Sequence, residues 1–127
     1  MSEQQEKDYT KYMFDGEKLG KGRLVLAVLK KYVAENPGIS FNDLKMVFPD
    51  YLQGDSDLQF SGTQVVFSRV AEIETDEMKR FFIKDEELIH FEDSEIAVSR
   101  EWNYQNIQNF IDAMKKSGYV ITVVNKK

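Results

Sequence analysis

Two stretches of the sequence hold side chains whose types and spacing suit the binding of an anion or a flat ring. The first is Gly16-Glu17-Lys18-Leu19-Gly20-Lys21-Gly22, followed by Arg23. Backbone N–H groups at a helix start attract anions, and a glycine-rich approach lets a phosphate come close. A phosphate loop needs four residues between its first glycine and Gly-Lys, and then Ser or Thr. Here three residues separate Gly16 from Gly20, and Gly22 follows Lys21, so the magnesium-binding hydroxyl is missing. What remains is a flexible turn that exposes Lys18, Lys21 and Arg23 as a general anion contact. The second stretch is Arg100-Glu101-Trp102-Asn103-Tyr104-Gln105-Asn106. Arg100, Trp102, Asn103 and Tyr104 could stack on a base or anchor a protein partner. The reading favoured for Trp102 is a core lid where a strand meets a helix.

No nucleophile–base set appears. His90 is the single histidine, and its strand-like setting puts it opposite Ile89 and Phe91, half exposed. The chain has no cysteine, which removes thiolate chemistry and cysteine-based zinc sites. The acidic runs Asp85-Glu86-Glu87 and Glu92-Asp93-Ser94-Glu95 lack the ligand spacing and turn glycine of a calcium loop. They read as solvated turns that keep strand edges from mispairing. The expectation is a non-catalytic protein with no metal and no cofactor.

The 127 residues suit one domain, and 42% hydrophobic with 13% aromatic residues can build one core. The formal net charge is −5, unevenly placed. Residues 72–95 hold ten acids against three bases, and residues 96–127 hold five bases against two acids. A chain-wide basic footprint for nucleic acid is therefore excluded, while local positive faces are not. The polar start, Met1-Ser2-Glu3-Gln4-Gln5, has no signal-peptide pattern, and no apolar run approaches a membrane span. A cytoplasmic protein without membrane contact is expected.

The elements that must position these residues follow from periodicity. Residues 1–9 are polar and expected to fray, and residues 10–127 to form one domain. Tyr9 to Phe14 suits a short edge strand, with Asp15-Gly16 as the turn after it. Val25, Val28, Leu29, Tyr32 and Val33 make one helical stripe, which Leu24 and Leu26 widen; Asn36-Pro37-Gly38 stops that helix. Ser40 with Asp43 opens a second helix that Pro49 ends, giving a helical hairpin. Gln53 to Gly62 reads as a loop. Thr63 to Ile73, rich in β-branched and aromatic residues, is assigned as a strand. Phe81–Ile83, Leu88–Phe91 and Ile96–Ser99 form a meander between charged turns. Asn103 to Lys116 is the third helix, with Tyr104, Ile107, Phe110, Ile111 and Met114 on one face and Gly118 as its left-handed cap. Tyr119 to Val124 returns as a strand.

The fold class is thus α+β: one antiparallel sheet of about four to five strands, with an N-terminal helical hairpin and a C-terminal helix packed on it. The alternative is a winged helix, in which Thr63–Ile73 is the third helix and Phe81–Ser99 the wing.

Two resemblances bear on function. The order helix, three strands, helix, strand resembles the core of the PD-(D/E)xK nucleases, and Pro49-Asp50 and Glu77-Met78-Lys79 match the two motif fragments as strings. The resemblance implies metal-assisted hydrolysis if Asp50, Glu77 and Lys79 converge, yet the elements put the first pair at a helix end and the others in a turn. Phe81-Phe82-Ile83-Lys84, Ile96-Ala97-Val98-Ser99-Arg100-Glu101-Trp102, Asn106-Ile107 with Phe110-Ile111, and Gly118-Tyr119 form a second set. Gly20-Lys21-Gly22-Arg23, Ile39-Ser40-Phe41 with Leu44, Phe48-Pro49-Asp50 and Leu52-Gln53-Gly54 extend it. Together they resemble a small uncharacterised bacterial domain that stands alone or accompanies restriction-type and other DNA-linked proteins. The sequence differs from that pattern in carrying Arg100-Glu101 where a neutral pair is expected. The resemblance implies a binding module with a DNA- or defence-linked role, whose partner is nucleic acid or protein. The alternatives are a protein–protein interaction subunit and a metal-dependent nuclease-like domain.

Overall fold

The computed structural model describes residues 10–53, 65–91, 94–104 and 106–124. The expectations for residues 1–9, Gly54–Gly62, Thr63 and Gln64 lie outside these. The chain is α+β, but among the described residues the strands form two three-stranded antiparallel sheets instead of one larger sheet. The first sheet has β1 (Lys11–Phe14) in the middle, with β2 (Glu17–Leu19) on one side and β6 (Thr122–Val124) on the other. The second has β5 (Ser94–Val98) in the middle, between β3 (Phe67–Arg69) and β4 (Ile89–Phe91).

Asp15-Gly16 explains the first departure. Both residues have positive φ, 55° and 85°, and Phe14 pairs with Glu17 across them. That is the two-residue turn whose twist suits a hairpin. Glu17–Leu19 is therefore a strand and not part of a flexible loop. Because the C-terminal strand pairs with the other side of β1, the expected edge strand is the centre of its sheet.

Helix α1 (Lys21–Glu35) buries Leu24, Val25, Leu26, Val28, Leu29 and Val33, the wide face that the sequence predicts. Helix α2 (Phe41–Val47) starts as expected, with the Asp43 N–H donating to Ser40 Oγ at 3.1 Å. A short 3-10 turn, Asp50–Gln53, follows and buries Leu52 and Gln53. Gln53 is thus a core residue and not the start of a loop.

Within the stretch assigned as a strand or, in the winged-helix alternative, a helix, the described residues form a strand at Phe67–Arg69, then a 3-10 turn at Val70–Glu72. The third helix of a winged-helix arrangement does not form there. Phe81–Ile83 contributes a single bridge, Phe81 to Ser99, instead of a strand. Its neighbours explain this: 3-10 turns occupy Thr75–Arg80 and Asp85–Glu87, leaving too few residues for a ladder. The bridge still makes Phe82 N–H to Val98 O (2.8 Å) and Arg100 N–H to Arg80 O (2.8 Å). Phe81 and Phe82 are both buried, in different clusters. Successive strand side chains point to opposite faces, so β5 separates a small cluster with Ala97 from the main core with Ile96 and Val98.

Helix α3 (Asn106–Lys116) buries Ile107, Phe110, Ile111 and Met114, while Tyr104 stays exposed, off the expected face. It ends with Gly118 N–H to Lys115 O and Tyr119 N–H to Met114 O, with Gly118 at φ 99°. This is the double-bonded left-handed cap that the glycine signals. The main core runs from Tyr12 and Phe14 of the first sheet, through α1 and α3, to Phe67 and Val98 of the second. No helix among the described residues is long and apolar enough to cross a membrane.

Candidate functional site

The two candidate stretches meet at the ring of Phe82. Gly22, in the first turn of α1, makes the meeting possible. A Cβ there would lie 3.0 Å from Phe82 Cζ, closer than such contacts normally come. The missing side chain lets the ring lie against the helix. Two guanidinium groups then cover the same ring, Arg23 at 4.7 Å and Arg100 at 5.5 Å from its centroid. A cation over an aromatic face is worth about 0.5–1 kcal/mol at an exposed site.

Arg23 is anchored on its other side. Its guanidinium lies 2.8 Å from a carboxylate oxygen of Glu87, a buried acid. The same carboxylate accepts the Lys84 N–H at 3.1 Å. Burial alone pushes the Glu87 carboxyl up, but the Lys84 N–H and the Arg23 guanidinium outweigh it and hold the group below its ordinary value. The Lys30 ammonium donates to the neighbouring Glu86 carbonyl, so the 85–87 turn is pinned to α1 twice. That corrects the reading of Asp85-Glu86-Glu87 as a purely solvated turn. The second acidic run keeps Glu95 exposed, 3.1 Å from Nδ1 of His90, while Glu92 and Asp93 lie outside the described residues.

The start of α1 is electropositive. Its cap residue, Gly20, offers no side chain to the first-turn N–H groups, and no acid lies in that turn. The Lys11 ammonium approaches the same point: a Cβ on Gly20 would be 3.6 Å from it. Lys11 and Arg23 therefore lie at the positive end of the helix dipole, where Lys21 is the first helical residue, and Arg100 lies over the same Phe82 ring as Arg23.

The rest of the second stretch turns inward. The Trp102 indole N–H donates to the Ser99 carbonyl at 3.0 Å, and its ring meets Phe110 edge-on at 5.7 Å. It is a lid on the core, half-buried, and not an open stacking platform. Asn103 caps α3. Its Oδ1 accepts the Asn106 N–H at 3.0 Å, and its own N–H donates to Asn106 Oδ1 at 2.7 Å. Of the seven expected residues, Arg23 and Arg100 come together on the Phe82 ring, and Lys21 opens the helix that carries Arg23. Lys18 is exposed on β2 opposite Met13, Tyr104 is exposed beside the α3 cap, and Trp102 and Asn103 hold the fold.

Phe82, Gly22, Lys11 and Glu87 also belong to the site, although the sequence marks Gly22 as part of a flexible turn, Phe82 as a strand residue, Glu87 as a solvated turn residue and Lys11 as nothing in particular. The usable signal was Gly22, a glycine at a helix start that needs a packing reason. Asp50 and Glu77 of the nuclease-like strings are held by separate bases, Lys45 at 2.6 Å and Arg80 at 2.8 Å. Among the described residues no group of three or more His, Asp or Glu is arranged to hold a metal ion. Comparison of the chain with protein-family models, curated proteins and solved structures finds no match.

Proposed function

We propose that this chain is a non-catalytic binding module with a DNA- or defence-linked role, and that it contacts the phosphate backbone of nucleic acid through the start of α1 and Arg100. The observation behind this reading is that Arg23 and Arg100 share the Phe82 ring against Gly22, with Lys11 near Gly20. The N–H groups of the first turn of α1 have no side-chain cap and no acid beside them, a setting that favours an anion. A guanidinium already braced by Glu87 is preorganised, and so loses less freedom on binding. The net charge of −5 opposes non-specific attraction, so binding is weak and confined to low salt.

The test is fluorescence anisotropy with labelled single- and double-stranded DNA across a salt series. The expected result is binding at low salt, with Lys21→Ala and Arg100→Ala each reducing the slope of log K against log salt by about 1. No binding of either strand form at the lowest salt overturns the reading.

A protein-interaction role is the second reading. Tyr51 and Tyr104, both largely exposed, stand two residues before Gln53 and Asn106, which join the 50–53 turn to α3. Exposed aromatic residues on rigid elements are common partner anchors.

A further inference from the structure

A cleft of about 450 Å³ lies beside the Asp15-Gly16 turn, within the size range of small-molecule sites. It exists because β1 and β6 part. Their ladder stops at Met13 and Thr122, while β1 runs on to Phe14 and the left-handed Gly118 turns the chain out of α3. Met13, Phe14, Tyr119 and Val120 line it with apolar surface. The rings of Phe14 and Tyr119 are 5.9 Å apart, and Val120 is 78% exposed. Gly16 and Gly118 line it too. A Cβ on either would meet no atom within 4 Å, so both border open space.

Its charged wall is Lys31 and Asp15, 3.4 Å apart. An ammonium has three N–H donors, and a carboxylate has two acceptor oxygens. Among the described residues the Lys31 ammonium meets Asp15 and Glu35, each at 3.4 Å, and the Asp15 carboxylate meets Lys31 through one oxygen. One N–H of Lys31 and one oxygen of Asp15 are thus left for a ligand. Asp15 first, and then Glu35, raises the Lys31 pKa above its ordinary value, so the ammonium stays charged. The two side chains are 35% and 62% exposed, and an exposed pair of this length is weak enough to rearrange around a guest.

We propose that this cleft binds a free α-amino acid with a large apolar side chain. Its carboxylate meets Lys31, its ammonium meets Asp15, and its side chain lies against Met13, Phe14, Tyr119 and Val120. The ligand's two charges follow from the pair. A simple anion would face Asp15, and a simple cation would face Lys31. An ammonium and a carboxylate on one carbon satisfy both, and ligands with one charge are disfavoured by the unmatched partner. A peptide end carries only one of the two groups. Lys31 lies eight residues, about 12 Å, along α1 from Arg23, so this site is separate from the proposed phosphate contact.

The test follows backbone amide NMR signals of the isotope-labelled full chain during titration with phenylalanine, phenylalanine amide and N-acetylphenylalanine. The expected result is saturable shifts at Gly16 and Gly118 with phenylalanine. The amide, which lacks the carboxylate, and the N-acetyl form, which lacks the ammonium, each bind weaker by about tenfold. This series on the parent chain decides the matter without any variant. Lys31→Met is expected to weaken phenylalanine binding by about tenfold and to leave the amide unchanged. Asp15→Asn keeps a residue that tolerates positive φ, weakens phenylalanine by a similar factor and leaves the N-acetyl form unchanged. Three results overturn the proposal: no saturable shift at the two glycines, equal affinity for the three ligands, or folded variants in which all three ligands lose affinity alike.

Discussion

Single residues at the Phe82 site set competing effects against one another, and magnitudes decide between them. Replacing Gly22 by alanine removes a helix-weakening residue, a gain of up to about 1 kcal/mol. The added Cβ meets a buried ring at 3.0 Å, and overpacking costs about 1–3 kcal/mol. The ring is held by α1 on one side and lies under two guanidinium groups, so it gives little. Gly22→Ala is expected to lower stability by about 1 kcal/mol in urea unfolding. An unchanged or raised midpoint would mean that Phe82 moves freely. Glu87 carries the pH dependence. Its folded pKa lies below the unfolded one, so its stabilisation is present above the ordinary carboxylate range and is lost as pH falls through the folded value. Glu87→Gln should lose about 1–2 kcal/mol at pH 7, and the gap to the parent should close as pH falls below the ordinary carboxylate range and through the lowered folded value. A gap independent of pH would show that the carboxylate charge is not what Arg23 and Lys84 hold.

Among the elements, α3 shows where the order of residues told its own structure and where it did not. Its apolar face and its Gly118 cap follow from spacing, because periodicity and a left-handed cap are local properties. Its start was hidden. Asn103 and Asn106 read as a polar surface beside Trp102, yet they cap the helix reciprocally. The Asn106 amide also donates to the Gln53 carbonyl at 2.9 Å and the Glu101 carbonyl at 3.2 Å. The partner at Gln53 is fifty-three positions away, and no window of sequence contains it. Gln53 answers by donating to the same Glu101 carbonyl at 2.9 Å. The two amides thus tie the 50–53 turn to α3. Asn103→Ala, which removes one cap acceptor, should cost about 1 kcal/mol. Asn106→Ala leaves several buried groups without a partner and should cost about 3 kcal/mol. Equal costs in thermal melts would mean that the buried amide contributes nothing beyond capping.

For the whole molecule, most strand positions were legible, but the charged strand Glu17–Leu19, the single bridge at Phe81 and the pairing into two sheets were not. Hydrophobic runs mark where strands form, but β1 meets β6 across more than a hundred residues, and no periodicity encodes that partner. Two sheets result because the Asp15-Gly16 hairpin fixes β1 and β2 early in the chain, while the 3-10 turns around Phe81 shorten the meander. What joins the sheets is the shared interior. Phe110 stacks near-parallel on Phe48 at 6.1 Å and meets Trp102 edge-on, so it links α2, α3 and the strand-to-helix corner. A cluster that reaches both sheets should make them unfold together. Trp102 is the only tryptophan and lies on that ring, so its fluorescence reports the core while far-ultraviolet circular dichroism reports the backbone. The two transitions should coincide in urea. Phe110→Ala should shift both by the same amount, with a loss of about 3–5 kcal/mol. If the fluorescence transition moved alone, the sheets would be separate cooperative units, and a single interior could not be what holds the Phe82 site and the cleft beside Tyr119 in one fold.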